Sequence, residues 1–169
     1  MVRNITRTAI TIGALLSVGC REQPTEHASR RQVAELNGLR LELSVDRTLI
    51  SLGDSGNVTI RLRNETAQAV RLGFGSTCQI LPYIETAAGA IVYPGGGAWY
   101  CGQAVTSLTV PAHGIVTQSL VVRGAALVVL GAARADGLAA VSLPPGGYRA
   151  YALLAETELR SPTIGFEVR

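Results

Sequence analysis

Beyond Gly38 the chain alternates apolar and polar residues in short runs broken by turn-forming residues. Leu39, Leu41, Leu43 and Val45 alternate with Arg40, Glu42, Ser44 and Asp46, which turns four apolar side chains to one face of a strand. Gly53-Asp54-Ser55-Gly56 supplies a turn, after which Val58, Ile60 and Leu62 alternate with Thr59, Arg61 and Arg63. The polar stretch Asn64-Glu65-Thr66 leads to a strand over Val70–Phe74. Further strands are expected over Gln79–Glu85, Ala90–Tyr93, Val105–Val110, Ile115–Val122, Gly147–Ala155 and Pro162–Val168, with turns at Ala87-Ala88-Gly89 and Pro111-Ala112-His113-Gly114. About eight or nine short strands, each with one apolar face, predict an all-β fold in which two sheets pack as a sandwich. Connections this short predict antiparallel pairing. The stretch from Ala125 to Leu143 is rich in Ala, Leu and Val without strict alternation. Over Ala125–Ala135 a short helix and a buried strand both fit, with a loop at Asp136-Gly137.

The N-terminal segment has the parts of an export signal: Arg3 and Arg7, an apolar run from Ile10 to Val18, and small Gly19. It is too short to make a stable transmembrane helix. Ser17-Val18-Gly19-Cys20 resembles the lipobox of bacterial lipoproteins, with Ser17 where Leu is usual and Leu16 one place early. The resemblance implies a signal peptide over 1–19 and lipidation of Cys20, a palmitate-type anchor that ties the mature chain to a membrane. From 20 to 37 the sequence is polar and charged, with Pro24, His27 and Arg30-Arg31, and reads as a flexible tether to one domain over 38–169. Arg21 stands where an inner-membrane retention aspartate would be, which favours the outer membrane. The expected location is the cell envelope, on its periplasmic or surface side.

Arg3 and Arg7 precede Cys20, so the 15 basic and 12 acidic residues of the whole chain become 13 against 12 in the mature one. No basic stripe with interleaved aromatics accompanies that balance, so nucleic acid is not an expected partner. Every basic residue is Arg. A chain without Lys has neither a Walker-type phosphate lysine nor a lysine Schiff base, and two large enzyme classes fall away.

Several features recur together: the strand ending at Asn64 with its polar turn, Val70–Phe74 followed by Gly75-Ser76, the aromatic stretch near Trp99, the Leu108-Thr109-Val110-Pro111-Ala112-His113-Gly114 turn, and the strand Gly147-Tyr148-Arg149-Ala150-Tyr151-Ala152-Leu153. In this order, across roughly Leu39 to Val168, the chain resembles the BsuPI-type domain, named for an intracellular proteinase inhibitor of bacilli. The resemblance implies an immunoglobulin-like antiparallel β-sandwich and a proteinase-inhibitor-like activity. The signal sequence, the Cys78/Cys101 pair and the stretch from Ala125 to Leu143 stand outside that pattern.

Cys78 follows a strand and Cys101 precedes one, and exported cysteines are usually oxidised. A disulfide closing this loop of about 24 residues contributes about 3 kcal/mol by restricting the unfolded chain. Between the cysteines lie Tyr83, Tyr93, Pro94-Gly95-Gly96-Gly97, Trp99 and Tyr100. Aromatic side chains on a pre-organised loop suit recognition of a protein or carbohydrate, which makes Trp99, Tyr100 and Tyr83 the candidate binding residues. The alternative is that Trp99 covers one end of the sandwich core.

Other signatures carry less. Gly53-Asp54-Ser55-Gly56 resembles the nucleophile motif of trypsin-like proteases, but only His27 precedes it, and these residues are what β-turns favour. His113 is a turn histidine without an identified nucleophile. Cys78, Cys101 and His113 lack the close spacing of a metal site. Gly95-Gly96-Gly97 has no phosphate-binding context, Glu85, Glu156 and Glu158 are scattered acids, and Asn57 and Asn64 match glycosylation acceptors of little weight in a bacterial lipoprotein. No metal, cofactor or catalysis is therefore expected. Two functions fit: a non-catalytic binding module on a lipid tether that meets an envelope protein or a proteinase through its end loops, or an assembly lipoprotein that pairs through a sheet edge.

Overall fold

The computed structural model describes residues 29–131 and 138–169. Cys20, His27, the segment expected to direct export and Asp136-Gly137 lie outside the described residues. Thirteen strands occur among the described residues: β1 (Arg30–Leu36), β2 (Leu39–Val45), β3 (Leu49–Ile50), β4 (Ser55–Asn64), β5 (Val70–Phe74), β6 (Ile80–Thr86), β7 (Ile91–Tyr93), β8 (Thr106–Val110), β9 (Ile115–Gly124), β10 (Val129–Gly131), β11 (Leu138–Leu143), β12 (Gly146–Leu154) and β13 (Ile164–Val168). One sheet has the order β1-β2-β4-β9-β11-β10, the other β3-β13-β12-β6-β7, and β5 and β8 form a two-stranded ribbon.

The expected sandwich is present. Alternate residues of the two sheets, among them Leu41, Leu43, Ile60, Leu62 and Leu120 from one and Ile84, Ala150, Leu154 and Ile164 from the other, meet in a single core. The order β2-β4-β9 in one sheet and β6-β12-β13 in the other corresponds to the A-B-E and C-F-G strands of an immunoglobulin-like sandwich. Tyr148, near the start of β12, donates its hydroxyl to the Pro144 carbonyl at 2.8 Å, the corner bond that recurs in such folds.

Three expectations need correction. The sheet starts at Arg30, so the segment expected as tether over 20–37, and the domain start expected at 38, place the boundary too late. An edge strand needs few apolar residues: Ala34 and Leu36 pack on the core, and Arg31 pairs with the Glu42 carboxylate that β1 covers. Asn37 (φ 50°) and Gly38 (φ 76°) make the two-residue turn between β1 and β2, and Asn-Gly is a strong hairpin signal. Strands also outnumber the eight or nine expected, because several pairings are only two or three residues long. Finally, pairing is not wholly antiparallel: β11 runs parallel to β9, and β3 parallel to β13. The Ala125–Gly137 connection is long enough for a parallel crossover, and β3 reaches the second sheet after the chain leaves β2. Within Ala125–Ala135, where a short helix and a buried strand both fitted, the described residues form the short strand β10, with Val129 57% exposed in place of the expected burial, and β11 follows at Leu138–Leu143.

Asn64 is fully buried where β4 ends. Its Nδ2 donates to the carbonyls of Gln68, Val110 and Pro111 at 2.7, 3.1 and 3.0 Å, and its Oδ1 accepts from the Thr66 backbone N–H and hydroxyl at 2.9 and 2.7 Å. The amide thus joins β4 to both strands of the β5–β8 ribbon at the end where Val70 faces Val110. That burial also closes Asn64 to glycosylation.

Register gives the sandwich two distinct ends. Arg30 lies level with Val45, Val58 and Leu120, and β9 runs on from Leu120 to Gly124. The chain before Arg30 therefore enters at the end that carries Gly124, here the entry end. Leu52 bridges Gly124, and its N–H donates to the Arg169 carbonyl at 2.7 Å, which brings the last residue of the chain to the same end. Asn64, the Pro111–Gly114 turn and the ribbon occupy the far end.

Replacing Asn64 with Ala takes a donor from the Val110 and Pro111 carbonyls and an acceptor from the Thr66 N–H, while the Gln68 carbonyl keeps the Thr66 hydroxyl at 2.9 Å, and unsatisfied buried groups cost about 1–3 kcal/mol each. Asn64→Ala is expected to lower unfolding free energy by about 3 kcal/mol, read as a shifted urea midpoint. A shift below about 1 kcal/mol would mean that water replaces the amide.

Candidate binding face at the far end

On β6 and β12 the residues that point away from the core are paired across the strands. Leu81 faces Leu153, Tyr83 faces Tyr151 and Glu85 faces Arg149. The Tyr83 and Tyr151 rings stack with centroids 5.0 Å apart and planes 5° from parallel. Arg160, brought in by a bridge to Leu153, holds its guanidinium carbon 4.1 Å from the Tyr151 ring centroid. Such cation–π stacking contributes about 0.5–2 kcal/mol. Next to this stack, Arg149 and Glu85 form an ion pair at 2.9 Å.

Trp99 arrives from the loop after β7. Its indole lies edge-on to Tyr83 at 6.5 Å and edge-on to Tyr93 at 5.4 Å, so it links the outward stack to a buried core tyrosine. It is half-buried and packs on the core, which agrees with the reading of Trp99 as a cover. Its Nε1 donor is buried without a hydrogen-bond partner among the described residues. Tyr100, the next residue, is 95% exposed. Backbone alternation separates the two roles: one aromatic anchors the loop and the other stands in solvent.

The root of this loop is covalent. Cys78 and Cys101 form a disulfide with Cα atoms 5.4 Å apart, as expected from the sequence. The Thr77 N–H donates to the Gly102 carbonyl at 3.0 Å, and the Gly102 N–H to the Thr77 hydroxyl at 2.8 Å, so hydrogen bonds flank the bridge. Gly96 (φ 75°) and Gly97 (φ 79°) take left-handed conformations in the 3-10 turn that opens the loop, which accounts for the glycine run. Glu156, itself at φ 56°, accepts the Gly75 N–H with both carboxylate oxygens at 2.8 and 3.0 Å and ties the β12–β13 turn to the β5–β6 connection that leads to Cys78. Nothing in the spacing of Gly75 and Glu156 marked this contact beforehand; it spans 81 residues.

The remaining sequence candidates separate. With their sulfurs bonded to each other, Cys78 and Cys101 do not act as thiolate ligands, and no cluster of three metal-binding side chains occurs among the described residues. His113 sits exposed at φ 53° in its turn. Gly53 and Asp54 form a turn, closed by the Asp54 N–H on the Ser51 carbonyl at 3.0 Å, and Ser55 opens β4. Glu85 and Glu156 are held by different partners, Arg149 and the Gly75 N–H. Asn57 is bound through its side-chain and backbone N–H groups to Asp46, both at 2.7 Å.

No family model matches the chain, and none of the curated proteins does. Among solved structures it is similar to a β-glucosidase from Listeria innocua in complex with gluconolactone, with 14% identity and a TM-score of 0.40, over 83% of this chain and 16% of that one. The same enzyme in complex with glucose gives the same figures. The PapD-like domain of human CEP192 is similar at 12% identity and a TM-score of 0.20, over 95% of this chain and 94% of that one. The chain thus spans about a sixth of the glucosidase length.

Burial raises the hydroxyl pKa of Tyr93 above its ordinary value. Tyr151 is also raised, chiefly by burial, against an opposing pull from Arg160. An unfolded tyrosine ionises near pH ~10, while the buried one keeps its proton, so the folded state binds more protons as pH rises through that range. Stability is therefore fully present below pH ~10 and falls above it, and Tyr93→Phe should flatten the loss in alkaline urea titrations. An unchanged slope would assign the alkaline loss elsewhere. Cys78→Ala with Cys101→Ala should cost about 3 kcal/mol by the same titration at neutral pH, with the Tyr83–Tyr151 stack retained in near-ultraviolet circular dichroism.

Proposed function

We propose that this protein is a lipid-anchored envelope lipoprotein whose sandwich is a non-catalytic, protein-binding module. The observation that carries the reading is Tyr100: a large aromatic side chain in solvent, one residue from a packed indole and next to a disulfide that pins its loop. Tyrosine on an ordered loop loses little side-chain entropy on binding and brings a large contact area, the usual makeup of an interface anchor. The two ends of the sandwich support the same reading. An anchor at Cys20 would enter at one end, and the Tyr100 loop leaves from the other, facing away from the membrane. The resemblance to BsuPI-type domains makes a proteinase the first partner class to test, with other envelope proteins behind it.

A photoreactive phenylalanine analogue in place of Tyr100, expressed in the host, is expected to yield one discrete crosslinked envelope protein. The same group in place of exposed Arg61, on the other sheet, should yield none, and Cys78→Ala with Cys101→Ala should weaken the Tyr100 adduct strongly. Equal patterns from both positions would discard the far-end loop as the contact.

A further inference from the structure

We infer that the entry end is a second membrane contact, in which the loop between β9 and β10, with Leu52 beside it, inserts apolar side chains into a lipid surface. The inference rests on the lipid-anchor reading for its geometry. Loops are ordinarily polar, because their backbone and side chains face water. Here the bend at Ala126-Leu127 is apolar: Leu127 is 73% exposed, Val129 is 57% exposed, and Val128 between them is exposed as well. No charged residue occurs from Gly124 to Ala133. The bridge between Leu52, 53% exposed, and Gly124 adds another bare apolar side chain at the same end.

The opposite edge of the same sheet shows how this protein treats a surface meant for water. There β1 exposes Arg30, Arg31, Gln32 and Glu35, the charged edge expected of a strand that must not pair. At the β9–β10 loop nothing of the kind is present. A partner strand fits it poorly, since Ala125 to Val128 form no ladder and β10 has only three residues. A lipid surface fits better because the chain itself leads there. Arg30 enters at this end, and ten residues from Cys20 span at most about 35 Å, so an anchored chain holds the loop against the bilayer at high effective concentration. Arg123, exposed at the base of the loop, can meet lipid phosphates while the apolar tip lies deeper. Asp54, whose carbonyl accepts the Gly124 N–H, is an exposed acid at the loop base and belongs at the wetter rim.

The test uses protein purified from host membranes and reconstituted into phosphatidylethanolamine–phosphatidylglycerol vesicles. Leu127→Trp in a Trp99→Phe background puts a reporter in the loop, and Ile115→Trp puts one at the far end. Insertion predicts a blue-shifted emission at position 127 that is quenched by brominated acyl chains, with position 115 neither shifted nor quenched. If Trp99→Phe fails to fold, the same comparison is read by brominated-lipid quenching with Trp99 present, since Trp99 lies toward the far end. An unshifted reporter at 127 overturns the inference, as does a dimer that buries position 127 without lipid, which would give the ridge to a second copy. Intact mass separates this from the anchor. An acylated chain with an unshifted reporter discards insertion and keeps the anchor; an unacylated chain whose reporter shifts on added vesicles supports insertion and discards the anchor.

Discussion

One carboxamide, that of Asn64, holds the far end of this sandwich together. A strand that ends inside a fold leaves carbonyls facing the interior, and each must find a donor. An amide group has two N–H bonds, and three carbonyls lie within reach of Asn64 Nδ2, so one bond is shared between acceptors. The carbonyl side of the same group fixes Thr66 and with it the turn into β5. No apolar residue could occupy the position without orphaning those groups, and a longer amide would not fit the space that a fully buried Asn fills.

From that point the far end is assembled in steps. The β5–β8 ribbon starts beside Asn64 and delivers Gly75 and Thr106 to the tip of the second sheet. There Gln79 Nε2 donates to the Thr106 hydroxyl at 3.2 Å, Glu156 accepts the Gly75 N–H, and the disulfide closes the loop that carries Trp99 and Tyr100. Packing of Trp99 between Tyr83 and Tyr93 gives the loop a base, so the exposure of Tyr100 follows from a chain of ordered contacts. The entry end is built from different materials: short backbone bonds among Leu52, Gly124 and Arg169, and an uncharged apolar loop. Gly124 is required there, since a Cβ would lie 2.3 Å from the Ser51 carbonyl oxygen. Entry of the chain at one end and an aromatic loop at the other give the molecule a direction.

Period-two alternation made the inner strands legible, because a half-buried strand has to alternate: β2, β4, β9 and β12 lie where Leu39–Val45, Val58–Leu62, Ile115–Val122 and Gly147–Ala155 suggested. The pairing of Cys78 with Cys101 was legible too, from their positions near strand ends and from the export signal that the N-terminal sequence led us to expect. The polar strand β1 was not, because an edge strand buries so little that only Ala34 and Leu36 of its residues pack on the core; Asn37-Gly38 was the available signal. The stretch from Ala125 to Leu143 lacked alternation because its strands have different environments, β11 covered on both edges by neighbours and β10 on one.

The sequence by itself determined the class of fold and the cysteine pairing, since both depend on local periodicity and on residue chemistry that survives without knowing what lies opposite. Which aromatic is anchored and which is free, the reach of Glu156 across 81 residues to Gly75, the parallel course of β11 beside β9, and the placing of the Leu127 loop at the end where the chain enters were decided by tertiary structure alone. Each of these is a relation between segments far apart in sequence, set by register and by which sheet a strand joins, and no local pattern encodes a distance between two strands that only folding brings together.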